Sequence, residues 1–450
     1  MHRFAKTLSL AVLFLAVGAT PLAHAQTFAP SAVIFEDVRI FNGTSDRLSG
    51  PSNVLVEAGL IKTISSAAIA DPPGTTVLRI RGGGRTLMPG LIDNHWHTML
   101  AAVPLPLLLD SDIGYLNLLA SVQAQATLMR GFTSVRDVGG PSFALKRAID
   151  EGVVVGPRIY PAGAMITITG GHGDFRSRLE LPRQLGGALT HGERIGANAL
   201  ADSPDEVRVR VREQLMLGAS EVKLTAGGGV ASPHSPLDVS TFTEEELRAA
   251  VQAAGNWGTY VSAHAYTSAA IQRSVAAGVK VIEHGHLMDD ASARLMAEKG
   301  TWLSFQPFTD DGHAPQMAPA NMLRLQQVFT GTERTIELAK KYKLKMAWGT
   351  DILFSAAGAA RQGETLSKMR QWYSAPEVLV MATGTNGELL KLSGPRDPYP
   401  GKLGVVQEGA LADLLLVDGN PLVDIKLVED PATRFVVIMK DGKVFKNLLR

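Results

Sequence analysis

The feature that most constrains the fold is a regular alternation of short apolar runs with longer helix-like runs through the middle of the chain. Such alternation is typical of parallel β/α folds, and eight repeats favour a (β/α)8 (TIM) barrel with insertions over residues 87–399. Thr243 and Glu246 form a capping-box pattern at the start of one predicted helix, Glu244–Asn256. The predicted strands are Leu87–Asp93, Thr133–Asp137, Arg158–Ala162, Ser220–Leu224, Tyr260–His264, Val279–His284, Trp302–Phe305 and Lys345–Gly349.

An open, doubly wound sheet is the alternative arrangement of the same units. That fold usually binds a nucleotide at a glycine-rich first turn. The sequence has no G-x-G-x-x-G after a predicted strand and no G-x-x-x-x-G-K-[ST], and it also lacks the G-x-S-x-G elbow of serine hydrolases. The barrel is therefore the favoured prediction.

Both chain ends are predicted to be β-structure. Residues 26–86 and 400–450 contain short runs rich in Val, Ile and Leu, separated by turn residues. Ala58-Gly59 and Asp441-Gly442 are predicted hairpin turns. We expect the two ends to form one small β-sandwich domain beside the barrel.

Residues 1–25 have the pattern of a secretory signal peptide. Arg3 and Lys6 precede an apolar run from Leu8 to Val17, and Ala23-His24-Ala25 is a small-x-small cleavage pattern. The run is shorter than the ~20 residues that a membrane span requires. The sequence therefore predicts an exported protein, periplasmic or secreted, with no membrane association after signal removal.

The charge balance and the absence of cysteine limit the possible functions. The chain has 44 Lys and Arg against 43 Asp and Glu, so it offers no basic surface for nucleic acid. It has no Cys, which excludes thiol catalysis and thiolate metal sites. Any metal must be bound by His, Asp, Glu or a modified Lys.

Residue types that bind metals stand at the ends of five predicted strands, the face at which barrel enzymes carry their active sites. His95 and His97 are two residues apart, so they point the same way from a strand and can chelate one ion. Such ligands suit Zn²⁺ or a similar divalent ion. The candidates are His95, His97, Lys223, His264, His284 and Asp351.

Three of these candidates have alternatives. Lys223 could extend to the barrel rim; if buried, it is favoured as a neutral amine, which can take up carbon dioxide and bridge two ions as a carbamate. His286 lies on the same side of the strand as His284 by alternation, so spacing does not decide between them. Asp351 could instead cap a helix.

Four local sequences resemble those of the amidohydrolase superfamily, and its imidazolonepropionase-like branch in particular. They are Met88–His97, Gly131–Asp137, Glu283–Gly285 and Gly409–Leu414. That branch includes dipeptidases that cleave Xaa-Pro or Xaa-Arg bonds and ochratoxin-hydrolysing, carboxypeptidase-like enzymes.

The resemblance implies a binuclear centre of two divalent ions, with Zn²⁺ as the expected metal. His95 and His97 would bind one ion, and His264 and His284 the other. Lys223, carboxylated by carbon dioxide, would bridge them. Asp351 would bind the first ion and carry the proton. Members of the family often form homo-oligomers, which we expect here.

These residues predict a binuclear metal-dependent amidohydrolase. A hydroxide bridging the ions is expected to attack the amide carbonyl, while Asp351 transfers the proton to the leaving amine. The resemblance implies small dipeptides or N-acyl amino acids with a free carboxylate as the substrates, including ochratoxin A, which would release phenylalanine. A cyclic amide or lactone hydrolase on the same site is the alternative. A non-catalytic descendant of the fold is more remote, because no predicted ligand is missing.

Three further residues are predicted to contact the substrate. His172, in a glycine-rich segment after the third strand, could bind a carbonyl or carboxylate oxygen, or be an incidental loop histidine. Tyr266 follows His264 by two positions and could bind a carboxylate, or be a core tyrosine at the rim; His286 is the third candidate. Arg136 and Asp137 are predicted to form a structural ion pair.

Overall fold

The structure, a computed structural model, describes residues 30–313 and 317–449. The predicted signal peptide, residues 1–25, lies outside them. The strands are β1 (Ala32–Phe41), β2 (Leu48–Glu57), β3 (Leu60–Ser65), β4 (Val77–Arg81), β5 (Thr86–Pro89), β6 (Leu91–Trp96), β7 (Phe132–Asp137), β8 (Arg158–Pro161), β9 (Met165–Thr167), β10 (Asn198–Leu200), β11 (Val222–Thr225), β12 (Val261–Thr267), β13 (Val281–Leu287), β14 (Trp302–Phe305), β15 (Met346–Trp348), β16 (Leu414–Val417), β17 (Phe435–Lys440) and β18 (Lys443–Asn447).

Helices alternate with the central strands, as predicted. The α-helices are α1 (Leu105–Leu108), α2 (Ile113–Met129), α3 (Phe143–Asp150), α4 (His191–Ile195), α5 (Pro204–Met216), α6 (Glu244–Asn256), α7 (Ser268–Ala277), α8 (Asp290–Lys299), α9 (Pro319–Tyr342), α10 (Ala356–Ala360), α11 (Gln362–Ser367), α12 (Ala375–Val380), α13 (Asn386–Leu390) and α14 (Pro431–Arg434). Shorter 3₁₀ turns lie at Arg183–Leu185, Lys368–Gln371, Lys391–Arg396 and Ile425–Glu429, and a π-helical turn at Met381–Thr385 joins α12 to α13.

Helix α6 begins where its sequence predicts. The Thr243 hydroxyl accepts the backbone N–H of Glu246, and the Glu246 carboxylate accepts the backbone N–H of Thr243. These reciprocal bonds satisfy two backbone donors that have no partner within the helix. The predicted capping box is confirmed.

Strands from both chain ends form one continuous sheet in the order β18-β17-β16-β5-β1-β2-β3, with β4 beside β1. β16 pairs antiparallel with β5, which joins the C-terminal part of the sheet to the N-terminal part. The two ends of the sheet come close to each other, since the backbone N–H of Ile61 in β3 donates to the carbonyl of Ala410, just before β16. Apolar side chains from both ends, including Phe35 and Val437, fill its interior. A β-rich domain built from both termini is confirmed, while its limits at residues 86 and 400 stay predictions.

Both predicted hairpin turns are present. Ala58 and Gly59 between β2 and β3 have positive φ, as do Asp441 and Gly442 between β17 and β18. Two successive left-handed residues match the right-handed twist of the strands they join.

The first predicted barrel strand, Leu87–Asp93, is divided in the structure. Residues before Gly90 form β5 in the terminal sheet, and residues after it form β6 in the barrel. A Cβ atom on Gly90 would lie 2.0 Å from the Thr133 hydroxyl. Only glycine therefore allows the chain to pass from one sheet to the other at this point.

The central strands form the predicted (β/α)8 barrel. β6, β7 and β8 make one parallel ladder, and β9 and β11–β15 make another, with β10 beside β9. The third barrel strand is interrupted between β8 and β9. Ser220 donates to the carbonyl of Pro161 and so joins β8 to the residues before β11. Apolar side chains between strands and helices form the main core.

Asn386, the first residue of α13, closes the barrel between its first and last strands. Its side-chain amide donates to the carbonyls of Ile92 in β6 (2.7 Å) and Trp348 in β15 (2.9 Å). The side-chain amide oxygen of Asn386, Oδ1, accepts the backbone N–H of Trp348 at 3.1 Å. One buried side chain thus makes bonds that a strand ladder would otherwise supply.

In the part of the chain that the structure describes, no helix combines the length and apolar character that a membrane span requires.

We predict that Arg158→Met destabilises the protein without altering its active site. Arg158 in β8 pairs with Asp413 at 2.8 Å and with Asp441 at 3.1 Å, which ties the barrel to the terminal sheet. Removing the cation leaves the buried Asp413 without its charge partner, which costs about 3–5 kcal/mol. Thermal unfolding should show a lower midpoint, and an unchanged midpoint would contradict this role of the pair.

Candidate metal centre

A cavity of about 420 Å³ opens at the C-terminal ends of the barrel strands. This volume is in the range of small-molecule binding sites. All six predicted metal ligands line it, together with two of the three predicted substrate contacts. These residues are His95, His97, Lys223, His264, His284, Asp351, His172 and Tyr266.

His95 and His97 are held by hydrogen bonds that fix which ring nitrogen is free. His95 Nδ1 lies 2.8 Å from the Glu283 carboxylate, and His97 Nδ1 lies 2.9 Å from the Gly139 carbonyl. Both partners only accept, so each Nδ1 carries the proton and each Nε2 keeps its lone pair. Burial acts to lower the pKa of His95, but the carboxylates of Asp351 and Glu283 outweigh it and raise that pKa.

Asp351 brings a carboxylate to both free nitrogens. Its Oδ1 lies 3.1 Å from His95 Nε2 and 3.3 Å from His97 Nε2. The three residues offer one nitrogen or oxygen each within 4.8 Å of one another, as a single metal ion requires. Although burial acts to raise the pKa of Asp351, His95 and the other nearby histidines hold it well below its usual range, so Asp351 is a carboxylate.

The backbone of Asp351 has a positive φ of 54°, uncommon for a residue other than glycine. Its N–H donates to the carbonyl of His95 at 2.8 Å. The strained conformation therefore turns the carboxylate toward the two histidines while joining the last strand to the first.

His264 and His284 lie on two adjacent strands, β12 and β13, and their ring centroids are 4.4 Å apart. His264 Nε2 donates to the Gly228 carbonyl at 2.8 Å, which leaves Nδ1 free. His284 Nδ1 donates to the amide oxygen of Gln306 at 2.7 Å, which leaves Nε2 free. Burial lowers the pKa of both histidines well below the usual value, so both rings are neutral, the form that binds metals.

Lys223 in β11 is 2% exposed and lines the same cavity, so it does not extend to solvent. Burial lowers its pKa, and the nearby carboxylates of Glu283 and Asp351 offset only part of that effect. A buried lysine that loses its proton more readily is the nucleophilic amine that carbamate formation needs.

His172 and Tyr266 lie beside the second pair of histidines. The His172 ring stacks on His264 with centroids 4.3 Å apart, and the Tyr266 ring stacks on His284 at 4.8 Å. Burial lowers the pKa of His172 to about 4, and its Nδ1 is buried with no protein partner in the described residues. Burial also raises the pKa of Tyr266, which keeps its hydroxyl protonated.

His286 does not line the cavity, and this departs from the alternation argument. His284 and Gly285 both have positive φ, so the strand turns between His284 and His286 and period two fails. The His286 ring instead stacks on Phe305 at 4.9 Å, and its Nε2 donates to the Gln306 carbonyl at 2.9 Å. Of the two histidines, the structure brings His284 to the cavity.

Sequence reasoning missed the buried residues that hold the histidines. Arg136 does not pair with Asp137 as predicted, because neighbouring residues of a strand point to opposite faces. It pairs instead with Glu221 at 2.7 Å and Glu283 at 2.7 Å, from two other strands. Charged residues inside predicted strands were the available signal, but their partners could not be read from spacing.

The donor set of His95, His97 and Asp351 fits a divalent cation. The free atoms are imidazole nitrogens and a carboxylate, all at one end of the barrel, next to a lysine that burial favours as a neutral amine. Their other ring nitrogens are committed to protein acceptors, as is usual for histidines that bind metal.

The fold and the candidate site are typical of a barrel enzyme, because the site lies at the C-terminal ends of the strands. Residues 86–446 match the amidohydrolase family. The chain belongs to this family.

Relatives of known activity are similar to this chain. Ochratoxinase from Aspergillus niger is 31% identical over 329 residues, which are 71% of this chain and 66% of that enzyme, just under two thirds of its length. The crystal structure of the A. niger enzyme has a TM-score of 0.79, with 27% identity over 93% of this chain and 96% of that one.

Two peptidase structures are also similar. A prolidase complexed with N-methylphosphonate-L-proline has a TM-score of 0.83 and 33% identity, covering 92% of this chain and 100% of that one. A Xaa-Pro dipeptidase with bound methionine has a TM-score of 0.78 and 28% identity, covering 93% of this chain and 100% of that one.

We predict that Gly349→Ala disrupts the candidate metal centre. A Cβ atom on Gly349 would lie 2.4 Å from the backbone nitrogen of His95 and 2.5 Å from its Cβ. The clash is with backbone, so β6 must shift away from β15 and separate His95 from Asp351. Metal analysis of the purified variant should show less bound metal than the wild type, and full occupancy in a folded variant would contradict the prediction.

Proposed function

We propose that the protein is a binuclear metal-dependent amidohydrolase that releases the C-terminal amino acid from dipeptides or N-acyl amino acids, including ochratoxin A. The observation that carries the proposal is that all six predicted ligands, from five strands, line one cavity. In this proposal His95, His97 and Asp351 would hold one cation and His264 and His284 the second, and Lys223, carboxylated as a carbamate, would bind both. Zn²⁺ is the proposed metal.

Bound cations would polarise the scissile carbonyl and lower the pKa of a water molecule. The protein's own residues would orient the substrate and transfer the proton. Asp351 is positioned between the two groups of histidines, with Oδ1 near His95 and His97 and Oδ2 3.9 Å from His284 Nδ1. Its carboxylate would accept a proton from the attacking water and return it to the leaving amine.

His172 and Tyr266 are the proposed contacts for the substrate's carbonyl or carboxylate oxygens. The Tyr266 hydroxyl is a donor, while the unpartnered His172 Nδ1 offers a further polar contact. The cavity wall next to Tyr266 is apolar and includes Val230, Leu325 and Phe308, which suits an apolar or aromatic part of the substrate. The similarity to a prolidase and to an ochratoxinase supports an amino-acid amide as the substrate class.

A panel of paired substrates tests the reaction. We expect metal-loaded protein to hydrolyse N-acyl amino acids, dipeptides and ochratoxin A. It should act much more slowly on the same compounds with the C-terminal carboxylate blocked as an amide, since an oriented contact to that group is lost. Chromatography of the released amino acid gives the rates. Hydrolysis of cyclic amides or lactones alone would favour the alternative function.

We predict that Asp351→Asn lowers turnover by about 10²- to 10⁴-fold. The amide has nearly the same shape but cannot accept the proton, so the fold and much of the metal should remain. Turnover measured with confirmed metal content checks this. Near-normal turnover in metal-loaded Asp351→Asn would show that another group moves the proton.

We also propose that the mature protein is exported and forms a homo-oligomer. The sequence pattern of residues 1–25 supports export, and the family resemblance supports the oligomer. N-terminal sequencing of protein from the periplasm or medium, with light scattering on the same sample, tests both.

A further inference from the structure

Arg136, the penultimate residue of β7, is a buried cation inside the barrel and is not among the residues that line the cavity. Its side chain is fully buried, and so are those of Glu221 and Glu283. The guanidinium donates twice to Glu221, from Nε at 2.7 Å and from Nη2 at 2.8 Å. Nη2 also donates to Glu283 at 2.7 Å.

Two further contacts extend this group to other strands. Arg136 Nη1 donates to the backbone carbonyl of Asn94 at 2.9 Å, and Nε lies 3.2 Å from the Tyr260 hydroxyl. The four contacted residues are therefore on, or immediately before, the first, fourth, fifth and sixth barrel strands.

Each contacted residue lies one to four positions before a proposed metal ligand of the same barrel strand. The pairs are Asn94 and His95, Glu221 and Lys223, Tyr260 and His264, and Glu283 and His284. Glu283 also accepts Nδ1–H of His95 at 2.8 Å. A single guanidinium thus contacts four of the five strands that carry the proposed ligands.

We propose that Arg136 is a positioning residue that sets the spacing of these four strands and thereby the affinity of the site for its cations. The inference rests on the proposed function, because it assigns Arg136 to the proposed metal centre. Arg136 acts through Glu221, Glu283 and the backbone, and its hydrogen bonds within the described residues do not include a proposed ligand.

The geometry explains why this position needs arginine. The planar fork binds one carboxylate with two parallel bonds and still has donors for a second carboxylate and a carbonyl. Without it, two buried carboxylates would face each other with no cation between them, and Glu283 would no longer be held against His95. Hydrogen-bonded partners of metal-binding histidines typically change metal affinity about 10- to 100-fold when they are lost.

Arg158→Met is a matched control for a purely structural role. Arg158 is also a buried arginine on a barrel strand bound to carboxylates, but its partners Asp413 and Asp441 belong to the terminal sheet. Its strand, β8, carries no proposed metal ligand. Loss of either arginine should destabilise the fold, whereas only loss of Arg136 should weaken metal binding.

The experiment measures Zn²⁺ affinity by competition with a chelator, and the absorption spectrum of the Co²⁺-loaded protein, for the wild type, Arg136→Met, Arg136→Lys and Arg158→Met. We expect both Arg136 variants to bind Zn²⁺ about 10- to 100-fold more weakly, with an altered Co²⁺ spectrum. Arg158→Met should keep the wild-type affinity and spectrum despite a lower unfolding midpoint. Circular dichroism establishes that each variant is folded.

Equal affinities in folded Arg136 variants and the wild type would overturn the inference while leaving the proposed function intact. Wild-type protein that binds no Zn²⁺ or Co²⁺ would refute the proposed function itself. If the Arg136 variants do not fold, the variant Glu221→Gln tests the inference instead. It preserves the shape of the Glu221 side chain and removes one charge partner of Arg136. Weakened Zn²⁺ binding in folded Glu221→Gln supports the inference, and wild-type affinity overturns it.

Discussion

The site depends on the closure of the barrel between its first and last strands. His95 lies on the first of these strands and Asp351 follows the last, and the two meet because the Asp351 N–H donates to the His95 carbonyl at 2.8 Å. Gly349 allows the strands this close, since any side chain there would meet the His95 backbone. Asn386 holds the same two strands through their carbonyls. Residues more than 250 positions apart in sequence are thereby brought to one cation site.

Burying this many polar and charged groups inside the barrel costs solvation free energy, and hydrogen bonds and ion pairs between the groups offset that cost. Arg136, Glu221 and Glu283 are buried charges, each bound to an opposite charge. The proposed ligands His95, His97, His264 and His284 each have one ring nitrogen bonded to the protein. The remaining nitrogens belong to side chains that line the cavity, and those of His95 and His97 face the Asp351 carboxylate, an arrangement that a bound cation would stabilise.

The sequence predicts the fold well because hydrophobic periodicity and turn residues are local signals. The alternation of strands and helices predicted the barrel, and Ala58-Gly59 and Asp441-Gly442 predicted the hairpins. At two places the local backbone conformation made predictions from hydrophobic periodicity and strand alternation wrong. Gly90 divides the predicted strand Leu87–Asp93, and the left-handed residues at His284 and Gly285 turn His286 away from the cavity. Alternation holds only while the chain stays extended.

The candidate ligands could be named from sequence because each ends a predicted strand, and the cavity gathers them. The contacts that support these ligands could not be predicted from sequence, since they join residues of different parts of the barrel. Arg136 with Glu283 and Gln306 with His284 are examples.

The most direct test of the central claim is anomalous diffraction from crystals grown with Zn²⁺. The account predicts two strong peaks in the cavity, one beside His95, His97 and Asp351 and one beside His264 and His284, with carboxylated Lys223 between them. A single peak, or an unmodified Lys223 that contacts neither ion, would contradict it.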